Sequence, residues 1–348
     1  MEPCGTRRLT YAEDMSVVRT KLQWILLGMG IAIAGVLPHF LGLHWLSVIN
    51  LILIYVVAVE GLNILTGYCG QISVGQAAFM AVGAYTAATL ATHLHLPWLA
   101  TLPCAALSAA IVGLFFGIPS LRMKGFYLAI STLAAQFIIM FIVSHLKITG
   151  LNVGLVVGET RMGSLFISGE TTFYYVNVIV AAIMIFLAKC LTRTDVGRSF
   201  IAIRDNDLAA EVMGINIFRY KLLAFSICSA FAGVAGWMLC YYMGAVAPEH
   251  FTLDRSIWFL GMVIVGGMGS ITGAIFGVIF IQLLEELAVF LSPILVSTFP
   301  MVGESFFNAI TLAFFAIVII LFLVFEPRGL YHRWQIFKSY YRLFPFSY

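Results

Sequence analysis

Nine apolar runs, most of them about twenty residues long, follow one another along this chain of 348 residues. Each run is long enough, or nearly so, to cross about 30 Å of hydrocarbon as a helix. Backbone groups in lipid must be bonded within the protein, and the runs lack the alternation of a membrane β-barrel. We predict an all-α, polytopic membrane protein with about eight to ten membrane helices or half-helices. The runs cover residues 22–37, 46–65, 74–92, 98–119, 126–145, 173–191, 222–243, 257–291 and 306–325.

Composition argues against a soluble enzyme and against a nucleic-acid-binding protein. Hydrophobic residues make up 61% of the chain and charged residues 10%, whereas soluble domains carry about 25% charged residues. The net charge of +3 is too small to indicate a nucleic-acid partner. The chain has no H-E-x-x-H, no G-x-S-x-G and no Gly-Lys pair of a phosphate-binding loop, so we predict no enzyme and no bound nucleotide. Its six cysteines lack metal-ligand spacing, so we also predict no metal site.

The distribution of basic residues predicts the orientation. Cytoplasmic segments are enriched in Lys and Arg. With the N-terminal tail inside and the runs alternating, only Lys147, Arg161 and Arg255 of the 19 basic residues fall outside. Both termini are then cytoplasmic. The predicted organisation is a cytoplasmic tail over 1–21, a transmembrane domain over 22–325 with an inner loop at 194–222, and a cytoplasmic tail over 326–348.

The eighth run, residues 257–291, is predicted to fold into a hairpin. The segment before it ends outside and the basic tail after the ninth run lies inside, so the eighth run must enter the membrane and return to the outer side. Gly266 and Gly267 can supply a bend near 266–270, because glycine tolerates positive φ. Sidedness does not decide whether both arms of the hairpin cross completely.

A glycine-rich break precedes the third run, within residues 66–90. Ser73 and Gln76 have the S-x-x-Q spacing of a capping box, which predicts a helix start at about Val74. A helix N-terminus beside a polar break can hold a carboxylate, although a cytoplasmic turn before a packed helix fits equally. The candidate pathway residues here are Tyr68, Gln71, Ser73 and Gln76, and the candidate packing glycines are Gly75 and Gly83.

Further candidates lie in the hairpin and in the fifth run. Glycines four residues apart leave one stripe of the returning helix bare, so another helix can approach it closely. Near the bend and in the fifth run, polar side chains face either the substrate or another helix. The packing glycines are Gly269, Gly273 and Gly277, and the pathway candidates are Ser270, Thr272, Thr132 and Gln136. Glu60, inside the second run, must face protein, water or headgroups because a buried carboxylate is costly in a membrane.

The inner loop over 194–222 is the most highly charged internal loop. Asp205 and Asn206 can cap a short helix over 207–213, and Gly214 suits the left-handed position just past its end. A helix of two turns is unstable alone. It therefore either lies on the bilayer surface or docks onto a cytoplasmic partner.

Four stretches together resemble the permease subunits of bacterial branched-chain amino acid ABC importers. They are GLNILTGYCGQISVGQAAFMAVGAY, GRSFIAIRDNDLAAEVMGINIFRYKLLAF, APEHFTLDRSIWFLGMVIVGGMGSITG and FEPRGL, in this order between residues 61 and 330. The resemblance implies that the inner loop is the ATPase-coupling segment, although Leu208 stands where that segment has an acidic residue. The implied coupling residues are Asp207, Ala209, Ala210, Glu211 and Gly214.

The resemblance also implies the assembly and its location. A second homologous permease would complete the pore, two ATP-binding subunits would bind inside, and a periplasmic binding protein would deliver a small-molecule substrate. The chain would lie in the lipid bilayer of the bacterial inner membrane and hold no cofactor of its own. Val153 and Trp258 depart from the family pattern, so urea or short amides remain alternative substrates. A stand-alone ion-coupled secondary transporter is the other alternative, because broken helices also occur in that class.

Overall fold

The structure is a computed structural model that describes residues 21–120, 123, 125–157, 161–162, 165–166, 169–298, 316–322, 324–326 and 329–343. Helices dominate it, as predicted. They are α1 (Lys21–Phe40), α2 (Leu43–Asn63), α3 (Gln76–His93), α4 (Trp98–Ser120), α5 (Phe126–His145), α6 (Glu170–Arg193), α7 (Asp195–Asp205), α8 (Asp207–Val212), α9 (Ile217–Met243), α10 (Leu253–Gly266), α11 (Ile271–Thr298) and α12 (Gly329–Leu343).

Short elements connect these helices. A π-helical turn, Ile64–Tyr68, continues α2, and 3-10 turns lie at Lys147–Thr149, Leu151–Val153 and Pro248–Phe251. The sequence did not predict the small strands. β1 (Leu155–Val156) pairs antiparallel with β4 (Ala245–Val246), and β2 (Arg161–Met162) pairs with β3 (Leu165–Phe166).

Among the described residues, six helical segments are long and apolar enough to cross a membrane: Leu43–Tyr68, Trp98–Pro119, Phe126–His145, Glu170–Arg193, Ile217–Met243 and Ile271–Phe290. The first is 78% buried within the protein and the fifth is 72% buried, whereas the other four are mostly unburied. Helices α2 and α9 therefore form the centre, and the outer helices present apolar side chains outward. The all-helical membrane architecture is confirmed. Most of the ninth apolar run lies outside the described residues. Of the predicted tails, the structure describes only residue 21 at the N-terminus and residues 326 and 329–343 at the C-terminus.

Small residues bring α3 and α9 together at the centre of the protein. A Cβ added to Gly83 would meet the backbone Cα and O of Gly233, and one added to Gly236 would meet the carbonyl O of Met80. The helix backbones therefore touch directly, which only glycine allows. This contact seats α3 between α9 and the remaining helices, and it fixes the position of the break that precedes α3.

The eighth run forms the predicted hairpin with its bend at residues 267–270, between α10 and α11. The 14 residues of α10 span about 21 Å, which is less than the thickness of the hydrocarbon core. The first arm is thus a half-helix. A Cβ on Gly277 would meet the carbonyl O of Met262, and one on Gly273 would lie 2.8 Å from that of Gly266, so the two arms pack backbone to backbone.

Candidate functional site

The chain turns back into the protein after α2. It passes through the π turn, runs without regular structure over 69–75, and begins α3 at Gln76. Gln76 Nε2 donates to the carbonyl O of Ala58 at 2.7 Å. Along the axis of α2 and the π turn, Ala58 lies roughly 13 Å from Gly67. The irregular segment therefore runs back beside α2 over about that distance. Irregular backbone at this depth requires partners within the protein.

Side chains from two other helices supply those partners at the start of α3. Thr132 Oγ1 accepts from the Val74 N–H at 3.0 Å, and Gln136 Oε1 accepts from the Ala78 N–H at 2.8 Å. Ser256 Oγ of α10 accepts from the Ala77 N–H at 2.9 Å. The free amides of a helix N-terminus are thus capped by α5 and α10.

The predicted capping box at the start of α3 is wrong. The N-cap is Gly75, without a side-chain capping bond, and α3 begins two residues after the predicted start. Ser73 Oγ instead accepts from the Gly75 N–H at 3.4 Å, and Gln76 faces α2 and α9, where its Oε1 lies 3.1 Å from Cys228 Sγ. The local S-x-x-Q spacing was outweighed by these longer-range hydrogen bonds.

Gln136 connects three elements. Besides capping α3, its Oε1 accepts from Ser256 Oγ at 3.1 Å and its Nε2 donates to the carbonyl O of Phe251 at 2.9 Å. The side chain is 1% exposed. Both polar atoms of Gln136 are therefore bonded within the chain, as the helix-packing interpretation of this residue expects.

The bend of the hairpin is held against the π turn. Ser270 Oγ accepts from the Gly273 N–H at 3.1 Å and lies 3.3 Å from Thr272 Oγ1, so Ser270 caps α11. Asn63, the last residue of α2, donates from Nδ2 to the carbonyl O of Ser270 at 3.1 Å and accepts at Oδ1 from the Gly269 N–H at 2.9 Å. The two glycine-rich breaks of the sequence therefore meet in space.

The other sequence-predicted pathway residues lie around this junction. Tyr68 is half-buried at the end of the π turn, Gln71 is buried in the irregular segment, and Thr272 is exposed. Within the described part of the chain, Gln71 Oε1 and Thr66 Oγ1 have no hydrogen-bond partner. Glu60 is 0% exposed, so its carboxylate is enclosed by the protein.

The inner loop forms the predicted short helix. Asn206 Oδ1 accepts from the Ala209 N–H at 3.1 Å and caps α8. Gly214 has φ +84°, the left-handed conformation that ends a helix and suits glycine. Asp207 pairs with Lys221 of α9 at 3.0 Å, and Ala210 lies on the buried face of α8. These contacts hold a helix that is too short to be stable alone.

The exposed face of α8 is apolar. Leu208 is 71% exposed, Val212 87% and Met213 82%. A groove of about 490 Å³ runs beside it, and its lining residues are Asp207, Glu211, Gly214, Ile215, Asn216, Ile217, Phe218 and Lys221. We call the face and the groove together the α8 surface.

Cys69 is a buried residue directly after the π turn. Burial raises the pKa of its thiol to about 12, against the opposing effect of the nearby Lys221 ammonium. Thiolate is scarce at neutral pH when the pKa is this high, so Cys69 is unreactive.

Sequence reasoning missed three residues of this region: Asn63, Arg204 and Ser256. Arg204 Nη1 donates to the carbonyl O of Gly67 at 3.0 Å, and Asn63 and Ser256 make the bonds described above. A polar Asn directly before a glycine-rich break was the one available signal, since a buried amide needs partners. Nothing near Arg204 or Ser256 in the sequence indicates which distant backbone each one bonds.

Comparison with known proteins identifies the family of the chain. The profile of the family described as "Branched-chain amino acid transport system / permease component" matches residues 45–331. The chain belongs to this family. The match contains both glycine-rich breaks and the short helix of the inner loop, so every contact described above between these parts lies within the family region.

Curated relatives are transport proteins. The permease is 32% identical over 308 residues to the "High-affinity branched-chain amino acid transport system permease protein LivM" of Escherichia coli strain K12, covering 81% of this chain and 72% of the relative. It is 25% identical over 278 residues to the "Autoinducer 2 import system permease protein LsrC" of Escherichia coli O9:H4, covering 76% and 78%. The "Fructose import permease protein FrcC" of Rhizobium meliloti is 31% identical over 124 residues, 34% of each chain. No solved structure matches the chain.

The protein is therefore a multi-pass membrane permease of the ABC importer class and not an enzyme. Such a permease works with ATP-binding and substrate-binding components. The family assignment agrees with the prediction made from the four sequence stretches, and it disfavours the stand-alone secondary transporter.

Proposed function

We propose that this permease imports branched-chain or other hydrophobic amino acids, driven by ATP that partner subunits hydrolyse. The α8 surface carries the proposal: an apolar ridge beside a groove, held rigidly by Asn206 and by the Asp207–Lys221 pair. Apolar side chains this exposed on a fixed, charged segment are typical of a contact site for another protein. The similarity to LivM over 81% of the chain supports the amino acid substrate.

The mechanism we propose is alternating access. ATP binding would draw the two partner subunits together and move α8, and the junction of the two helix breaks would follow. Broken helices form the substrate sites of many secondary transporters, and we propose that α10 has such a role here. The polar side chains near the junction would then line the substrate pathway: Tyr68, Gln71, Ser270 and Thr272, with Ser73, Gln76, Thr132 and Gln136 holding the start of α3.

We propose the same assembly that the family resemblance implied. Two ATP-binding subunits lie on the cytoplasmic side, each on one coupling segment. A second homologous permease completes the pore, and a periplasmic protein delivers substrate. Both termini of this chain are cytoplasmic in the inner membrane, and the coupling residues are Asp207, Ala209, Ala210, Glu211 and Gly214. The permease itself binds no cofactor.

Uptake by cells tests the substrate. We would express the permease with a second homologous permease, two ATP-binding subunits and a periplasmic binding protein, in a strain that lacks its own branched-chain amino acid importers, and offer radiolabelled leucine, urea or acetamide. The proposal expects ATP-dependent accumulation of leucine alone. Accumulation of urea or acetamide without leucine would contradict the amino acid substrate and support the short-amide alternative.

A charge on the α8 surface should abolish docking without unfolding the permease. Val212→Asp places a carboxylate at a position that is 87% exposed, so the fold loses no packing, whereas an apolar contact with a partner would be lost. We expect the ATP-binding subunit to stop copurifying in mild detergent. Val153→Asp, at a position 90% exposed on the opposite side of the predicted topology, is the matched control and should keep the partner. Retention of the partner by Val212→Asp would rule out this face as its docking site.

Thiol labelling tests the orientation with the same two positions. We expect a membrane-impermeant maleimide to label Val153→Cys in intact cells and Val212→Cys only after the membrane is permeabilised. The wild-type chain gives the background, to which Cys69 contributes little because burial raises its thiol pKa to about 12. Labelling of Val212→Cys in intact cells would place α8 outside and overturn both the orientation and the docking proposal.

A further inference from the structure

The two helix breaks touch through glycine. A Cβ on Gly67 would meet the backbone N of Gly269, so the π turn and the hairpin bend are in direct backbone contact. Asn63 makes two hydrogen bonds across this contact, at 2.9 Å and 3.1 Å. Because the amide of Asn63 both donates and accepts, it fixes the register of one break against the other. Neither break can shift alone without losing at least one of these bonds.

The side chain of Arg204, in α7, contacts both breaks. Its Nη1 donates to the carbonyl O of Gly67 at 3.0 Å. A Cβ on Gly269 would also lie 3.0 Å from that nitrogen, and a Cβ on Gly70 would lie 2.9 Å from Arg204 Cγ. The side chain therefore occupies space that glycine leaves open at two points, Gly70 and Gly269. These two glycines, at φ +73° and +77°, also require the backbone freedom of glycine.

Arg204 is directly connected to the coupling segment. It lies in the last turn of α7, and the N-cap of α8 is Asn206, two residues later. Its Nη2 pairs with Asp205 at 3.0 Å. Only Asp205 and Asn206 separate Arg204 from the first residue of α8. A displacement of α8 must either carry the Gly67 carbonyl with it or break the bond at 3.0 Å.

We propose that Arg204 is a positioning residue that transmits movement of α8 to both helix breaks. The transmitting unit, which we call the inner latch, consists of Arg204, Asn63, Gly67, Gly70 and Gly269. This inference rests on the proposed function, because it assumes that a partner moves α8. The planar guanidinium is suited to the task, since it can bond to the Gly67 carbonyl and the Asp205 carboxylate at once, whereas an ammonium is a single point charge.

Arg204→Lys tests the latch, with Arg198→Lys as the matched control. Arg198 lies on the same helix and pairs with Asp195 within it, so the control makes the same exchange away from the junction. The permease would be purified with its second permease and its ATP-binding subunits, reconstituted in liposomes with the binding protein, and assayed for ATP hydrolysis and uptake of radiolabelled leucine. We expect Arg204→Lys to keep its partners and its ATP hydrolysis but to lower leucine uptake per ATP about tenfold, within the usual range of coupling between distant sites. Arg198→Lys should change neither quantity.

The outcomes separate the latch from a structural role and from the proposed function. If the ratio of uptake to hydrolysis is unchanged in Arg204→Lys and the wild-type complex transports leucine, the latch is overturned and the proposed import function stands. A wild-type complex without ATP-driven uptake would overturn both. If Arg204→Lys fails to assemble, Asp205→Asn provides the test. This exposed substitution removes the ion pair that holds the Arg204 guanidinium and should keep the fold. We expect it to lower the ratio about twofold relative to Asp195→Asn, and an unchanged ratio would reject the latch.

Discussion

Replacing Gln136 with Leu should strongly destabilise the permease. Gln136 accepts from the Ala78 amide and the Ser256 hydroxyl and donates to the Phe251 carbonyl, all within 3.1 Å. Leucine fills a similar volume but leaves these buried groups without this partner. A buried group left unsatisfied costs about 1–3 kcal/mol, so we expect the free energy of unfolding to fall by about 3 kcal/mol or more.

Thermal unfolding in detergent, followed by fluorescence-detected gel filtration, measures this effect. The melting temperature should fall by about 4 °C or more. Gln282→Leu is the matched control, because Gln282 is 3% exposed and its Oε1 has no hydrogen-bond partner in the described part of the chain. Removing that unsatisfied oxygen should leave stability unchanged or raise it. Equal melting temperatures for the two variants would mean that Gln136 does not hold the start of α3.

Adding one methyl group at Gly83 should push α3 and α9 apart. The new Cβ would meet the Cα and carbonyl O of Gly233. Since backbone atoms cannot move aside as a flexible side chain does, both helices must shift. Overpacking of a core costs about 1–3 kcal/mol when side chains can adjust, so Gly83→Ala should reach at least the upper end of that range.

The yield and melting temperature of purified Gly83→Ala check this prediction. Gly35→Ala is the control, because a Cβ at Gly35 in α1 meets nothing within 4 Å and alanine favours a helix. We expect normal yield for the control and a low yield of a less stable protein for Gly83→Ala. A wild-type melting temperature for Gly83→Ala would show that the two helices are not in contact at this glycine.

Local patterns predicted the parts of this structure that depend on neighbouring residues. The apolar runs located the membrane helices, because each backbone must satisfy itself in lipid. The α8 helix was predicted because its cap, Asn206, and its terminator, Gly214, lie within a few residues of it. The bend of the hairpin followed from paired glycines and from the sidedness of the flanking segments.

Contacts between distant residues decided the rest. The start of α3 was mislocated because its amides are capped by residues 58 and 179 positions away. The bond from Arg204 to Gly67 joins residues 137 positions apart. No spacing rule describes such pairs. The sequence indicated that both glycine-rich breaks were special, but only the fold shows that they lie against each other.

The capping of α3 by later helices has a consequence for biosynthesis. When the ribosome delivers this segment, neither Gln136 nor Ser256 has yet been made. The first amides of α3 therefore reach the translocon without these side-chain acceptors. Hydrocarbon would penalise them, so we expect α3 to stay at the water-facing edge until the fifth helix and the hairpin have emerged. Its final packing is then expected to be a late step of assembly, and nascent chains that end before residue 256 should remain accessible to protease at the loop before α3.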